Sequence, residues 1–481
     1  TAAADEMSYP NKSGYRPDIC AVLADNATGG ISAYYSNRYR PENIRRQSGS
    51  VLKPLAVYAP ALERGVITAA TPLLDEKTDF SGFSPKNYNE AYYGWTTARQ
   101  AVAKSMNVPA VKVLTYLGVD NSAAFLSRLK ITTSDGDKNL ALALGSTSKG
   151  ISATELLGGY LTLSCGGQGR RAAYVKSIIK DGEKVYANDN LNERIISPET
   201  AYIMTDILRD TVRCGTAKAL SALGIDVAAK TGTVGSEAGN SDAWCISYTA
   251  LHTLLVWHGN GTGAPDRVMS EKETGGSYPA AAAREVFRRL YPEGVKSFER
   301  PAGIVEKDID LYSLKINNEL ALASELTPAK YRLSEIFSLS NMPSKISSVF
   351  DDIGAGLSAE YKNNVVELSF SAREFVSYDI VKIVEISGET ITYHLATVSD
   401  KNGEIKLTDY VFPRNNYITY ELRPTLVLGN DKIAGQPSSV KIYAEFNFDD
   451  FNFDFHEQKP PDEHGEGPDF EEDLEDEDFW N

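Results

Sequence analysis

Apolar positions change rhythm twice along the first three hundred residues. In "DICAVLADNATGGISAYYS" (18–36) they form two short runs on either side of an Asn-Ala-Thr-Gly-Gly turn, which predicts a pair of strands. From Ser50 to about Arg213 the spacing lengthens to three and four. "SVLKPLAVYAPALERG" sets Leu52, Leu55, Tyr58 and Leu62 on one helix face and stops at Gly65. "TTARQAVAKS" opens with a Thr97/Gln100 capping-box pattern, and "SATELLGGYLTLS" and "SPETAYIMTDILRDTV" are further amphipathic stretches. The period then shortens again: "IDVAAKTGTV", "AWCISYTA" and "HTLLVWHGN" are runs divided by Gly, Asn and Asp, the pattern of antiparallel strands. "SYPAAAAREVFRRLY" (277–291) predicts a closing helix.

Strands at both ends of this region with helices between them predict an α+β fold, in which early and late strands share one antiparallel sheet flanked by helices. On this reading residues 1–17 are an N-terminal linker, 18–300 one domain, and 301–345 a connector with a helical piece. From Val349 the pattern is all β: "VVELSFSA", "SYDIVKIVEI", "ETITYHLATV", "YITYELRPTLV" and "SSVKIYAEF" recur about every ten residues, so 346–444 predicts a small β-sandwich. Residues 445–481 form an acidic tail too poor in apolar residues to order itself.

That tail changes the meaning of the charge. The net charge is −16, but Asp449–Asn481 holds 15 acidic residues and one lysine, so the body of the chain is nearly neutral. A nucleic-acid partner, which needs a basic surface, is excluded. The longest apolar runs fall far short of the roughly 20 residues that span a bilayer. A chain opening at Thr1 rather than methionine is expected to be a fragment or a processed product. Cys20, Cys165, Cys214 and Cys245 lack metal-ligand spacing and are expected to be free, with a Cys165–Cys214 bridge as the alternative. Neither a metal nor a cofactor is expected.

The candidate chemistry starts at "RRQSGSVLKPL" (45–55). Ser50 and Lys53 stand one turn apart at a predicted helix start, where free N–H groups and the helix dipole stabilise developing negative charge. The spacing alone is common, recurring at Ser127/Lys130, Ser146/Lys149, Ser177/Lys180 and Ser438/Lys441. Two later stretches single out the first pair. "KSMNVP" places Ser105 and Asn107 on a loop between helices, and "AAKTGTV" places Lys230, Thr231, Gly232 and Thr233 on a strand with small neighbours that admit a ligand backbone.

In this order, and with the surrounding "GWTTARQAVAKSMNVPAVKVL", "LALGSTSKGISATELLGGYLTLSCGGQGR" and "KTGTVGSEAGNSDAWCISYT", residues from about 18 to 298 resemble the transpeptidase domain of class A penicillin-binding proteins. Residues 346–444 more loosely resemble the C-terminal fibronectin type III-like domain of many such proteins. The resemblance implies a peptidoglycan D,D-transpeptidase inhibited by β-lactams. In it Ser50 attacks a D-Ala–D-Ala amide, Lys53 is the base, and Ser105 relays the proton to the leaving nitrogen. It further implies that Asn107 holds the stem peptide, that Lys230, Thr231, Gly232 and Thr233 take the terminal carboxylate, and that the Ser50 and Thr233 N–H groups form an oxyanion hole. The implied partners are stem peptides and β-lactams, with a glycosyltransferase domain and membrane anchor ahead of Thr1. The implied location is the outer face of the bacterial cytoplasmic membrane. Ser48 stands where the family commonly has proline. A carboxypeptidase or β-lactamase on the same scaffold, and a non-catalytic β-lactam sensor or cell-wall-binding module, remain alternatives at this point. Hydrolysis would need a carboxylate to position water, and Glu155 in "ATELLGGY" lacks the asparagine that follows such an acid in β-lactamases.

Overall fold

The structure, a computed structural model, describes residues 16–88, 90–188, 193–236, 239–260, 268–316, 318–350, 353–411 and 415–445. Most of the linker at 1–17 and of the acidic tail lies outside these residues. The chain divides into two units, Thr1–Asp351 and Asp352–Asn481.

The first unit is built on five antiparallel strands: β1 (Asp18–Asp25), β2 (Ile31–Ser36), β3 (Ala228–Ser236), β4 (Gly239–Tyr248) and β5 (His252–Gly259), in the order β2-β1-β5-β4-β3. The N-terminal hairpin thus completes a sheet whose other strands lie about two hundred residues later. Both faces are covered, which explains why these strands read as nearly continuous apolar runs. Alternate residues divide between two cores. Cys20, Val22, Trp244, Ile246, Leu255 and Trp257 face the larger one, while Cys245, Leu254 and Val256 face the smaller.

The larger core is closed by α1 (Ala98–Ala103), α2 (Asn107–Leu117), α3 (Val119–Arg128), α4 (Ala153–Ser164) and α5 (Pro198–Arg213). α6 (Tyr278–Leu290) covers the other face through Ala280, Ala283 and Phe287. Only half of the predicted box at Thr97 forms: its hydroxyl accepts from Gln100 N–H at 3.2 Å, but the Gln100 side chain turns to Thr96. At α4 the box is complete, Ser152 with Glu155.

Residues 301–345 are more structured than a connector. Ile304–Asp310 (β6) and Arg332–Ser338 (β7) pair along their whole lengths, with a short helix, Leu311–Ile316, between them. Arg99 of α1 ties this hairpin down, reaching Glu335 as well as Asp206 and Asp210 of α5.

The second unit holds two antiparallel sheets. Ser358–Lys362, Val365–Ala372 and Gly403–Tyr410 form one. The other is centred on Val376–Ile386 and Asn416–Leu428. Phe370 of the first sheet meets Tyr378 of the second with ring centroids 5.0 Å apart. All four cysteines are free, so the Cys165–Cys214 alternative does not form; Cys214 is exposed and Cys20 and Cys245 are buried. Among the described residues no helix is long and apolar enough to cross a membrane.

Candidate active site

Ser50 lies in a helical stretch whose irregularity follows from its prolines. Pro54 has no N–H to offer the Ser50 carbonyl, so Lys53 N–H takes it in a tight turn over Gly49–Leu52. A wider π-helical turn follows at Pro54–Tyr58, in which Ala59 N–H reaches back to Pro54, and the stretch ends as α-helix at Ala59–Glu63. Val51, Leu52, Leu55 and Tyr58 are sunk in the larger core, which fixes the turn's orientation. Ser50 remains partly exposed, and among the described residues its hydroxyl makes no hydrogen bond.

The turn is wedged between two backbones, at Gly145 and Gly232. Gly49 adopts φ +54°, and its carbonyl lies so close to Gly145 that a Cβ there would sit 2.1 Å from the oxygen. A Cβ on Gly232 would meet Ser48 O at 2.8 Å. Ser48, in the proline position of the resemblance, donates from Oγ to Gly145 O at 3.2 Å. Behind the turn, Arg46 forms a two-pronged ion pair with the buried Asp242, at 2.8 and 3.0 Å.

Lys53 is fully buried. Its Nζ donates to Ser105 O at 2.8 Å, Met106 O at 2.9 Å and Asn107 Oδ1 at 2.6 Å, which occupies all three ammonium protons. Burial pushes its pKa well below the ordinary lysine value, and the nearby charge of Lys230 pushes in the same direction. Asn107 also donates from Nδ2 to Lys86 O at 2.6 Å.

Ser105 occupies the left-handed position that ends α1. Its N–H bonds Val102 O and the Met106 N–H bonds Ala101 O, the pairing in which the turning residue is usually glycine, yet here a serine sits at φ +57°. That costs on the order of 1 kcal/mol. The conformation places Ser105 Oγ 2.7 Å from Lys230 Nζ, which also donates to Thr231 O at 2.9 Å. Lys230 is fully buried, and desolvation brings its pKa down to about 7.

The strand β3 completes the wall. Thr231 Oγ1 donates to Thr216 Oγ1 at 2.6 Å, and Thr233 Oγ1 accepts from Gly275 N–H at 3.2 Å. Gly275 fits only because it lacks a Cβ, which would stand 2.1 Å from Trp244 O. A cleft of about 520 Å³ is lined by Ser50, Ser105, Asn107, Thr216, Thr231, Gly232 and Thr233, with Tyr88, Tyr93 and Lys104 at one side. Six of the eight residues singled out from sequence line it, and the other two, Lys53 and Lys230, are buried behind it and bond to Ser105. Thr216, Gly145 and Gly275 had no signal of their own in the sequence, because isolated small residues in loops are ordinary. None of the described histidines lines the cleft; His258 pairs with Glu273 in the interior.

Sheet, helices and convergent lysines define the catalytic-domain architecture of the penicillin-binding proteins. A family model for the penicillin-binding protein transpeptidase domain matches residues 19–286, more than half of the chain, and the chain belongs to that family. It is 32% identical over 314 residues to Penicillin-binding protein 1F of Bacillus subtilis, an alignment covering 62% of this chain and 43% of that protein. To Penicillin-binding protein 1A/1B of the same organism it is 27% identical over 359 residues, covering 69% and 38%. These matches span under half the length of the curated relatives. Among solved structures, Penicillin-Binding Protein 1A from Haemophilus influenzae superposes with a TM-score of 0.55 at 21% identity, over 69% of this chain and 54% of that one. PonA1 from Mycobacterium tuberculosis, in complex with penicillin V, gives 0.52 at 21% identity, over 60% and 83%. At such identity these two establish the shared fold.

Proposed function

We propose that the chain carries the D,D-transpeptidase activity of a class A penicillin-binding protein, cross-linking peptidoglycan stem peptides through an acyl-enzyme on Ser50. The observation that carries this reading is the meeting of Lys230 Nζ with Ser105 Oγ at 2.7 Å above a buried Lys53, in the cleft that Ser50 lines.

Lys53 in its neutral form has a lone pair in place of one of its three N–H bonds, and it accepts the Ser50 proton as Oγ adds to the D-Ala–D-Ala carbonyl. The resulting oxyanion is met by the Ser50 and Thr233 N–H groups. As the C–N bond breaks, Ser105 hands a proton to the departing D-alanine nitrogen and is resupplied through the lysines. A second stem's amine then attacks the ester, restoring Ser50. Thr216, Thr231 and Thr233 offer hydroxyls to the terminal carboxylate, with Lys230 behind them. Asn107 has a role besides holding the stem peptide: its side-chain oxygen is occupied by Lys53.

Hydrolysis is the weaker reading because Glu155 is already spent. Its oxygens accept from Thr132 N–H at 3.1 Å, Ser152 N–H at 2.8 Å and Arg45 at 2.7 Å, capping α4. The reading extends to β-lactam acylation, to an extracytoplasmic site of action, and to a glycosyltransferase domain and a membrane anchor in the rest of the protein. Residues 18–300 are taken as the transpeptidase domain and 346–444 as a fibronectin type III-like domain, supported in the latter case by the two facing sheets. The test is D-alanine release from a stem-peptide mimic in the presence and absence of an acceptor amine. Release with transfer to the amine supports the reading; release to water alone supports a carboxypeptidase.

A further inference from the structure

Beneath the Ser105 loop lies a carboxylate that none of the three motifs contains. Asp75 ends a short strand, Pro72–Asp75, paired with Gly94–Thr97, and is fully buried. Asn87 Nδ2 lies within hydrogen-bond distance of both its oxygens, at 3.0 and 2.9 Å, and Tyr93 N–H donates to Oδ2 at 3.0 Å. Asn87 turns its own oxygen to Asn107 N–H at 2.8 Å. Asn107 Oδ1 in turn holds Lys53 Nζ. An unbroken chain of contacts therefore runs from a buried acid to the buried lysine below Ser50.

A buried carboxylate costs several kcal/mol unless something offsets it. Asp75 makes no ion pair among the described residues, so its N–H donors and the nearby Lys53 must stabilise it. The influence is mutual, since the Asp75 charge favours the ammonium form of Lys53 while burial and Lys230 oppose it. Around Lys53, the charged groups are Lys230 from β3 and Asp75 from the strand at 72–75; the loop at 105–107 contributes carbonyls and an amide oxygen. Tyr58, on the Ser50 helix, faces Asp75, and burial with that carboxylate pushes its pKa up, so it stays a neutral phenol.

We propose that Asp75 is a positioning residue of the acylation machinery: through Asn87 and Asn107 it fixes the seat of Lys53, and it supplies a negative charge beside that lysine. The proposal rests on the reading of Ser50 as the acylated nucleophile. Neutral Lys53 is the reactive form, so the rate of acylation climbs with pH as Lys53 loses its proton. Removing the Asp75 charge lets that loss occur at lower pH, and leaves a weaker base.

The test is the second-order rate of acylation by benzylpenicillin, followed by intact-protein mass spectrometry as a function of pH, for the wild type, Asp75→Asn and Asn87→Ser. Asp75→Asn is expected to move the acid limb down by about one pH unit and to lower the plateau by about tenfold. Asn87→Ser keeps the carboxylate and breaks the bridge, so its plateau falls by about as much while its limb stays in place. A cooperatively melting Asp75→Asn protein with the wild-type limb overturns the proposal. If that variant does not fold, Asn87→Ser decides: an unchanged rate overturns the bridge, and a lowered one supports it. A wild type that benzylpenicillin never acylates overturns the functional reading instead.

Discussion

Lys230 and Ser105 are 125 positions apart in sequence and 2.7 Å apart at their side-chain tips. The contact depends on Ser105 taking a backbone conformation that suits glycine. Two substitutions separate its chemistry from its strain. Ser105→Gly removes the hydroxyl and relieves the left-handed backbone, stabilising the fold by up to about 1 kcal/mol. Ser105→Ala removes the hydroxyl alone and leaves stability close to wild type. Acylation falls in both by about a hundredfold or more. Thermal melts paired with acylation rates check this; a Ser105→Gly protein as reactive as wild type would show that the hydroxyl is dispensable.

Lys230 also leaves a mark on stability. Its pKa is about 7 in the fold against 10.5 ordinarily, so between those values the unfolded chain holds a proton that the folded chain has released. Stability therefore rises with pH across this window, by at most about 1.4 kcal/mol per unit for one lysine. Lys53, shifted the same way, adds to the slope. Above about pH 9 the thiol of Cys245, which burial pushes up to about 12, works in the opposite direction. Urea unfolding at neutral and mildly alkaline pH is expected to show a rising midpoint in the wild type, and a flatter one in Lys230→Met.

Gly145 is predicted to be intolerant of a single methyl group. Its Cβ would overlap the Gly49 carbonyl, and its φ of +77° is itself unfavourable for alanine. Gly145→Ala is expected to cost about 3 kcal/mol and to shift Ser50 with the turn that carries it. Unfolding midpoints and acylation rates should fall together; retention of both would mean that the turn is not held from this side.

The Arg99 cluster makes the hairpin at 304–338 part of the catalytic unit. Arg99→Ala strips Glu335, which is 3% exposed, of its counter-charge, at an expected cost of about 3–5 kcal/mol. Limited proteolysis should then cut within 301–345 sooner than in the wild type. Unchanged cleavage there would separate the hairpin from α1.

The sequence was most informative where one residue type has one physical job. Short apolar runs such as "HTLLVWHG" marked the strands of an antiparallel sheet, and Ser50, Lys53, Ser105, Asn107 and Lys230 through Thr233 were legible because three spaced motifs coincided. What stayed hidden depends on partners distant in sequence. The strand "IVEKDID" carries four charged residues and pairs with a segment more than twenty residues later, so it resembled a connector until Arg99 and Glu335 were seen to meet. Asp75 carried no signal in the sequence for the same reason, since Asn87 and Asn107 reveal its link to Lys53 only in three dimensions.

The central claim is that Ser50 is a nucleophile driven by a buried lysine. Intact-protein mass spectrometry after exposure to benzylpenicillin tests it most directly, with peptide mapping to locate the adduct. We expect a one-to-one adduct on Ser50 that persists well beyond the labelling time, and none on Ser50→Ala or Lys53→Met. An unlabelled wild type, a label on another residue, or an adduct shed within seconds would contradict it.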